Sequence, residues 1–277
     1  MRIHLGGSSR TSLAAARTKL DAALKGLSSA DASRMSDDLF VAASTVGESA
    51  RLRQALTDTS ANASAKSELV SNLFGKHFAQ PSLSLLVELA GLRWSAGKDI
   101  VSVIEQLAIE AQASAANLDG HLDQVEREIF EVSRLVAQDF ELRTALTGDA
   151  SAELKSSLVA SILTSASAHT VKLVQALILH RGNRSIETTF EDFMYALAAR
   201  RERVIALVRS ATALSDGQVS RLTTILSETI GQPIHVNVEV DANVVGGLSV
   251  QFADELVDST ISSRLAKAKR LLAGQNA

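Results

Sequence analysis

Apolar side chains recur every three or four residues through most of the chain, which is the spacing of a helix with one buried face. Short polar or glycine-containing breaks separate these runs. Such short connections favour antiparallel neighbours, so this part of the sequence predicts helical bundles. Two of the clearest runs are Val125, Ile129, Val132 and Val136, and then Ile186, Phe190, Phe193 and Leu197. The expected breaks lie at 57–63, 80–82, 97–99, 120, 147–151 and 182–183.

The helical part contains an internal repeat. Leu39-Phe40 matches Ile129-Phe130 at an offset of 90, and residues 52–57 match 142–147 at the same offset. Lysine and arginine positions also match, and helical periodicity does not require them to. We therefore favour a duplication over the alternative that two amphipathic regions share leucine and alanine spacing. The matched charged residues are Lys66 with Lys155 at an offset of 89, and Arg93 with Arg181 at an offset of 88.

The repeat predicts one helical bundle over residues 1–118 and a second over residues 119–203. Residues 100–138 hold no proline and only Gly120 as a helix breaker. This stretch could form two helices or one long helix shared by both bundles. We favour a break near residues 117–120.

From residue 204 the periodicity changes to two. Ile234, Val236, Val238 and Val240 alternate with polar residues, and residues 248–252 and 203–208 also read as strands. Ser215 and Gln218 have capping-box spacing ahead of a helical run. Residues 254–255 can close a turn, and Asp258 or Ser259 can cap a terminal helix. We expect a small α+β domain over residues 204–277, so the fold class is mostly α with two tandem bundles and this carboxy-terminal domain.

The amino-acid composition excludes several kinds of site and partner. The chain has 277 residues, no cysteine and a formal net charge of −3. Disulfides and thiolate metal sites are thereby excluded, and no global charge favours nucleic acid or anionic membranes. No apolar run approaches the roughly 18 residues of a membrane span. We therefore expect any membrane association to come through partners.

Several groups of residues resemble catalytic or ligand-binding motifs, but a structural role explains each of them better. Residues 91–99 hold two glycines and a lysine, but their spacing and Asp99 are wrong for a phosphate-binding loop. Ser8 and Ser9 are interpreted as helix caps, the histidines as surface or loop residues, and Glu128 as part of a solvated face. Arg200 belongs to a basic cluster at a helix end that could face an acidic partner. No catalytic residue, cofactor site or metal site is expected.

The order of residues after position 204 resembles the carboxy-terminal signature of the δ subunit of F-type ATP synthase, whose mitochondrial relative is the oligomycin sensitivity-conferring protein. Ser259-Thr260 departs from the family, which usually has Gly then Ser there. The helical part also fits the family pattern, twice, through the lysines and arginines of the repeat. The signature residues, to which we assign a structural role, are Asp241, Gly246, Gly247, Asp254, Asp258, Arg264 and Leu265.

The resemblance implies a non-catalytic peripheral-stalk subunit with no cofactor and no nucleic-acid partner. It would link the amino-terminal segment of an α subunit, at the F1 head, to the b subunit, and contact other F1 subunits. It would lie at the cytoplasmic face of the cell membrane, reaching the membrane only through the complex. The second bundle, which precedes the carboxy-terminal domain, is expected to hold the α segment. The alternative is a helical-repeat adaptor unrelated to ATP synthase.

Overall fold

The computed structural model describes residues 5–202, 205–230, 234–241, 244, 247–252 and 255–258. The chain divides into two compact units, Met1–Arg200 and Arg201–Ala277. The first is helical and the second carries a small sheet with one described helix. The predicted fold class, mostly α with a small α+β part at the carboxy terminus, is confirmed.

The helical unit repeats its helix order. Five helices of the first repeat recur in the second, and the two short helices α3 and α8 have the same length at an offset of 90. One further helix, α1 (Gly7–Leu24), precedes them. The first set is α2 (Ser29–Glu48), α3 (Ala50–Thr57), α4 (Ala63–Phe74), α5 (Gln80–Ala90) and α6 (Gly97–Leu118), and the second is α7 (Leu122–Gln138), α8 (Phe140–Thr147), α9 (Ala152–Ile162), α10 (Ala168–His180) and α11 (Ile186–Glu202).

Helix α6 forms the centre of the helical unit. Every residue from Gln106 to Asn117 is buried, and six of them are alanine or serine. Small side chains let neighbouring helices approach closely, and α2 packs along α6. The helix ends at Leu118, and Gly120 follows with a φ of +75°, a conformation that glycine adopts without steric cost. The chain therefore breaks where the sequence predicts. The division into two bundles stays a prediction, because helices of both repeats belong to one compact unit.

Two predicted breaks were wrong. Helix α5 begins at Gln80 with Pro81 in its first turn, so the connection before it spans residues 75–79. Proline is tolerated there because the first N–H groups of a helix have no partner within the helix. Helix α6 likewise begins at Gly97, and the connection before it spans residues 91–96.

The second unit holds a four-stranded sheet in the order β2-β1-β3-β4. Strand β1 runs parallel to β2, and the other pairs are antiparallel. The helix α12 connects the parallel pair, as a parallel crossover requires. The strands are β1 (Ile205–Ser210), β2 (His235–Val240), β3 (Leu248–Phe252) and β4 (Glu255–Asp258), and α12 spans Asp216–Ile230.

The sequence predicted the first three strands and missed the fourth. Glu255 begins β4, which pairs with β3, so the predicted turn at residues 254–255 was wrong for Glu255. Asp258 ends this strand; Asp254 and any terminal helix lie outside the described residues. The predicted capping box is confirmed: the N–H of Ser215 donates to Gln218 Oε1 at 2.9 Å, and the N–H of Gln218 donates to Ser215 Oγ at 3.4 Å.

The register places apolar residues on one face of the sheet. Ala206 and Val208 of β1 are fully buried and lie beside Val236 and Val238 of β2. The intervening residues of β2 are polar, and on this other face Arg209 of β1 forms an ion pair with Glu239 at 3.1 Å. The alternation that predicted a half-buried strand thus matches the sheet.

Candidate functional site

The two repeats contact each other through one face of α2. Lys172 Nζ of α10 donates to Asp37 Oδ2 at 2.7 Å. The Phe40 ring stacks on His180, with ring centroids 5.4 Å apart, and on Phe193 of α11, at 5.9 Å. Ser44 Oγ lies 2.5 Å from His180 Nδ1. We call Ser33, Asp37, Phe40 and Ser44 the α2 face. It shows what a helix-docking surface of this fold looks like when it is occupied.

His180 is half-buried at this interface, so its interpretation as a surface or loop residue was wrong. Burial lowers the pKa of the His180 imidazole, although Asp37 and Glu48 act in the opposite direction. His169 is also enclosed, since its two ring nitrogens lie 2.8 Å from Gln112 Nε2 and 2.9 Å from Asp119 Oδ2. Both histidines serve packing between the repeats.

Arg200 lies in the interior of the helical unit and has no exposed surface. Its guanidinium donates to Asp21 Oδ1 of α1 and, at 3.2 Å, to Ser114 Oγ of α6. The interpretation of Arg200 as part of a basic cluster for a partner was therefore wrong. The residue instead ties the end of α11 to the first helix of the chain.

Ser8 and Ser9 do not cap α1, whose N-cap is Gly6. Ser9 Oγ donates to Asp99 Oδ2 at 2.7 Å and accepts from the N–H of Ser95 at 2.7 Å. Ser8 Oγ lies 2.6 Å from Ser95 Oγ. These serines join the first turn of α1 to the first turn of α6. The capping interpretation was therefore wrong, since α6 has Ala96 as its N-cap and no side-chain cap.

Glu128 is only partly exposed, and it bonds to a distant helix. Its carboxylate accepts from the N–H of Ser167 at 3.0 Å and from the hydroxyl of Thr170 at 2.5 Å. Burial raises the pKa of this carboxyl, but hydrogen bonds from Thr170, Gln124 and Ser167 outweigh it, and the net shift is downward. Glu128 thereby caps the first turn of α10 from the neighbouring helix α7.

Large exposed apolar side chains concentrate on the second repeat. Phe140 is 70% exposed and Leu154 is 65% exposed. Their counterparts in the first repeat, at offsets of 90 and 89, are Ala50 and Ala65. The Arg143 guanidinium lies 5.5 Å from the Phe140 ring centroid. Exposed apolar residues that form a contiguous patch are typical of interaction sites, so these residues are candidates for one. The other exposed large apolar residues of the helical unit are Phe130, Leu135, Ile162, Leu179 and Tyr195 on the second repeat, and Val41 and Leu73 on the first.

The sequence pattern did not reveal this asymmetry, although the two copies carry the signal. Helical periodicity alone does not separate a core position from a docking position, because both are apolar. A position-by-position comparison of the two repeats distinguishes a docking position from a core position where one copy has alanine and the other has a large apolar residue.

A polar cleft of about 550 Å³ lies between α2, α6 and the α10–α11 connection. Arg184 crosses it and pairs with Glu105 and with Asp192, the latter at 3.1 Å. Burial raises the pKa of the Glu105 carboxyl, against the attraction of Arg184. Among the described residues, no group of three or more His, Asp or Glu side chains could hold a metal ion. No helix in the described ranges has the length and apolarity to cross a membrane.

The described signature residues shape turns in the sheet unit. The N–H of Asp241 donates to Ser210 O at 2.9 Å, and its carbonyl accepts from the N–H of Val244 at 3.1 Å. Gly247 has a φ of +84° directly before β3, which favours glycine there. Asp258 pairs with Ser249 in the sheet. Gly246, Asp254, Arg264 and Leu265 lie outside the described residues, and the structural role of the full set stays a prediction.

Comparison with known proteins gives consistent matches. The sequence model of the ATP synthase delta (OSCP) subunit family matches residues 109–272, starting inside α6. A protein of Streptomyces coelicolor is 39% identical over 269 residues, covering 96% of this chain and 98% of its own length. A protein of Kineococcus radiotolerans is 40% identical over 271 residues, covering 97% and 98% respectively. A protein of Frankia alni is 36% identical over 274 residues, covering 96% and 99%.

Each of these three relatives is named ATP synthase subunit delta. The alignments span almost the whole of both chains, so they include the first repeat as well as the second. The family model, by contrast, leaves out α1 to α5 and the start of α6. The additional sequence before residue 109 is therefore shared with these relatives.

Proposed function

The chain belongs to the ATP synthase delta (OSCP) subunit family, and from this membership we propose that it is a non-catalytic peripheral-stalk subunit of a rotary, proton-translocating ATP synthase. In this role it links the F1 head, through the amino-terminal segment of an α subunit, to the b subunit. It lies at the cytoplasmic face of the cell membrane and reaches the membrane only through the complex. Its task is to hold the head still against the torque of the rotor.

The α segment docks on the second repeat. The observation that carries this step is the exposure of Phe140 and Leu154, where the first repeat has alanines. An amphipathic helix binds by laying its apolar face against such a surface, with anchors three, four or seven residues apart. The same repeat directly precedes the sheet unit in the chain, as the single helical domain of the family does.

A torque-bearing link has to be stiff, and the packing of the helical unit supports this requirement. Helices from both repeats share one compact unit centred on α6. Arg200 joins α11 to α1 and α6 through a buried guanidinium. Bent or loosely packed connections would absorb rotation, whereas densely packed interiors transmit strain.

The sheet unit joins the b subunit. The support for this step is family membership, since the matched region runs to residue 272 and includes the signature residues. We assign the signature residues a structural role in this unit.

Peptide binding tests the α-segment step. A fluorescent peptide of the amino-terminal segment of the α subunit is titrated with the full chain. Phe140→Ser and Leu154→Ser are expected to weaken binding about tenfold or more, as loss of apolar anchors does. The matched controls Val41→Ser and Leu73→Ser, exposed on the first repeat, are expected to bind as the parent chain does. Loss of binding in the controls, with retention in the second-repeat variants, would place the segment on the first repeat.

Purification of the tagged chain from membranes tests the complex. Recovery of the α, β and b subunits is expected. Absence of all three, with other partners present, would favour the helical-repeat adaptor.

A further inference from the structure

Because the two repeats match, each residue of the second repeat can be compared with its counterpart in the first. The α2 face is occupied within the chain: Asp37, Phe40 and Ser44 all contact α10 or α11 of the second repeat. Ser33 adds a fourth contact, since Lys172 Nζ donates to its hydroxyl at 2.7 Å. These four residues share one side of the helix at spacings of four, three and four.

Within the described ranges, the equivalent residues of α7 are exposed. At an offset of 90 they are Asp123, Arg127, Phe130 and Arg134, which we call the α7 face. Phe40 is 3% exposed in the first repeat, whereas Phe130 is 53% exposed in the second. The other three residues of the α7 face are exposed as well. One copy of the same helix thus has its docking face covered, and the other presents it to solvent.

The net charge of the face changes sign between the copies, because the α2 face carries Asp37 alone and the α7 face carries Arg127 and Arg134 against Asp123. Asp37 corresponds to Arg127, and Ser44 corresponds to Arg134. Within the part of the chain that the structure describes, neither arginine forms an ion pair. Both lie on the same side of α7 as Phe130, three residues before it and four after it. An occupant has to bring an apolar side chain for Phe130 and carboxylates for the two arginines.

A second copy of this chain does not meet that requirement. The elements that cover the α2 face bring Lys172 and His180. Placed on the α7 face of another molecule, Lys172 would meet Arg127, and like charges at an interface oppose association. In addition, this side of α10 is already held against α2 within its own chain.

We propose that the α7 face binds an acidic amphipathic helix from another subunit of the assembly. The proposal rests on the proposed function, because the assembly supplies the partner. The apolar stripe of that helix covers Phe130, as Phe193 covers Phe40. Its carboxylates pair with Arg127 and Arg134 at the rim, where charge sets orientation and partner choice.

Thiol protection tests the proposal, since the natural chain has no cysteine and one introduced thiol is a unique label. Phe130→Cys and the control Val41→Cys are made in the tagged full chain. Maleimide modification rates are compared between the isolated chain and the purified complex. The Phe130→Cys thiol is expected to react at least about tenfold more slowly in the complex, relative to the control, as closure by a stable helix implies. Equal relative rates would overturn the proposal.

Two further variants test the chemistry of the partner. Arg127→Glu/Arg134→Glu, added to Phe130→Cys, is expected to restore fast modification in the complex. Arg127→Lys/Arg134→Lys is expected to keep the protection. Full protection in the charge-reversed chain would show that the occupant is not acidic, and the proposal would be wrong.

Sedimentation of the isolated chain distinguishes a second copy from a different subunit as the occupant. If the isolated chain dimerises and its Phe130→Cys thiol becomes protected as it does so, the occupant is a second copy and the proposal fails. Co-purification of the α and β subunits tests the proposed function independently. Their recovery with an unprotected thiol overturns this inference alone, whereas their absence overturns both.

Discussion

Glu128 caps the helix that begins after Ser167, accepting the backbone N–H of Ser167 at 3.0 Å. Ninety residues earlier, Asp38 accepts the N–H of Ala79 at 3.0 Å, ahead of α5. The duplication has therefore kept a tertiary hydrogen bond as well as a pattern of apolar residues. A carboxylate on the first helix of each repeat, α2 or α7, accepts an N–H group that has no partner within the helix it begins.

Replacement of Glu128 should destabilise the helical unit. We expect Glu128→Gln to lower the free energy of unfolding by about 1–2 kcal/mol at neutral pH, because charge-assisted bonds to Ser167 and Thr170 are weakened. Asp38→Asn should have a similar effect in the first repeat. Urea denaturation followed by circular dichroism measures both. Glu131→Gln, an exposed change on the same helix, is the control and should leave the stability unchanged.

The effect of Glu128 should also depend on pH. The pKa of its carboxyl is lower in the folded chain than the value near 4.3 of an unfolded glutamate. A carboxyl with a depressed folded pKa stabilises fully above its unfolded pKa, and this contribution is lost as the pH falls through the folded pKa. The difference between the parent chain and Glu128→Gln should therefore shrink below about pH 4. A difference that is constant from pH 7 to pH 3 would contradict the capping role.

Equivalent phenylalanines should differ in their contribution to stability. Phe40→Ala should cost about 3–5 kcal/mol, since it empties the space under Phe193 and His180. Phe130→Ala should change the stability by less than about 0.5 kcal/mol, because the ring is exposed. Urea denaturation of both variants makes the comparison within one protein. Similar losses at the two positions would mean that the α7 face is already covered in the isolated chain.

Arg200 should couple to Asp21. Arg200→Met removes a buried guanidinium and should lower the free energy of unfolding by about 3 kcal/mol. This loss is at the low end of the range for broken buried ion pairs, because Asp21 keeps contact with water. Asp21→Asn should cost less. A double-mutant cycle should give an interaction free energy of about 1 kcal/mol or more. Additive losses would show that Arg200 does not stabilise the fold through Asp21.

His180 should make the stability fall on mild acidification. Burial holds its pKa below the value near 6.5 of an unfolded histidine. Between those two values the unfolded chain binds the proton more tightly, so stability decreases as the pH falls below about 6.5, until the folded pKa is passed. His180→Gln should flatten the dependence of the melting temperature on pH between 5 and 7. His77→Gln, at an exposed position, should leave the slope as it is.

The sequence predicted elements better than it predicted surfaces. The breaks after α3 and its copy α8, the break after Leu118, and strands β1 to β3 all follow from periodicity and local turn chemistry. The breaks predicted at Pro81 and Gly97 were misplaced for a local reason. Proline and glycine interrupt a helix, but either can also stand in the first turn of the next one. Strand β4 was missed because four residues are too few to show a period.

Side-chain roles were predicted less well, and the failures share a physical cause. Glu128, Ser9, His180 and Arg200 each looked like a surface or capping residue when read beside its sequence neighbours. Each bonds instead to a group at least 39 residues away. Burial of a polar group is tolerated when a partner satisfies it, and the sequence does not show which distant partner that will be.

By itself, the sequence determined the family, the helical and sheet parts of the chain, and the presence of two copies of one helical pattern. These follow from spacing and from residue order, which are local properties. Only the tertiary structure decided that the copies share α6 as a common centre, that Phe40 is covered and that Phe130 is open. Both phenylalanines occupy the same position of the same pattern, so their difference arises from packing between helices far apart in the chain.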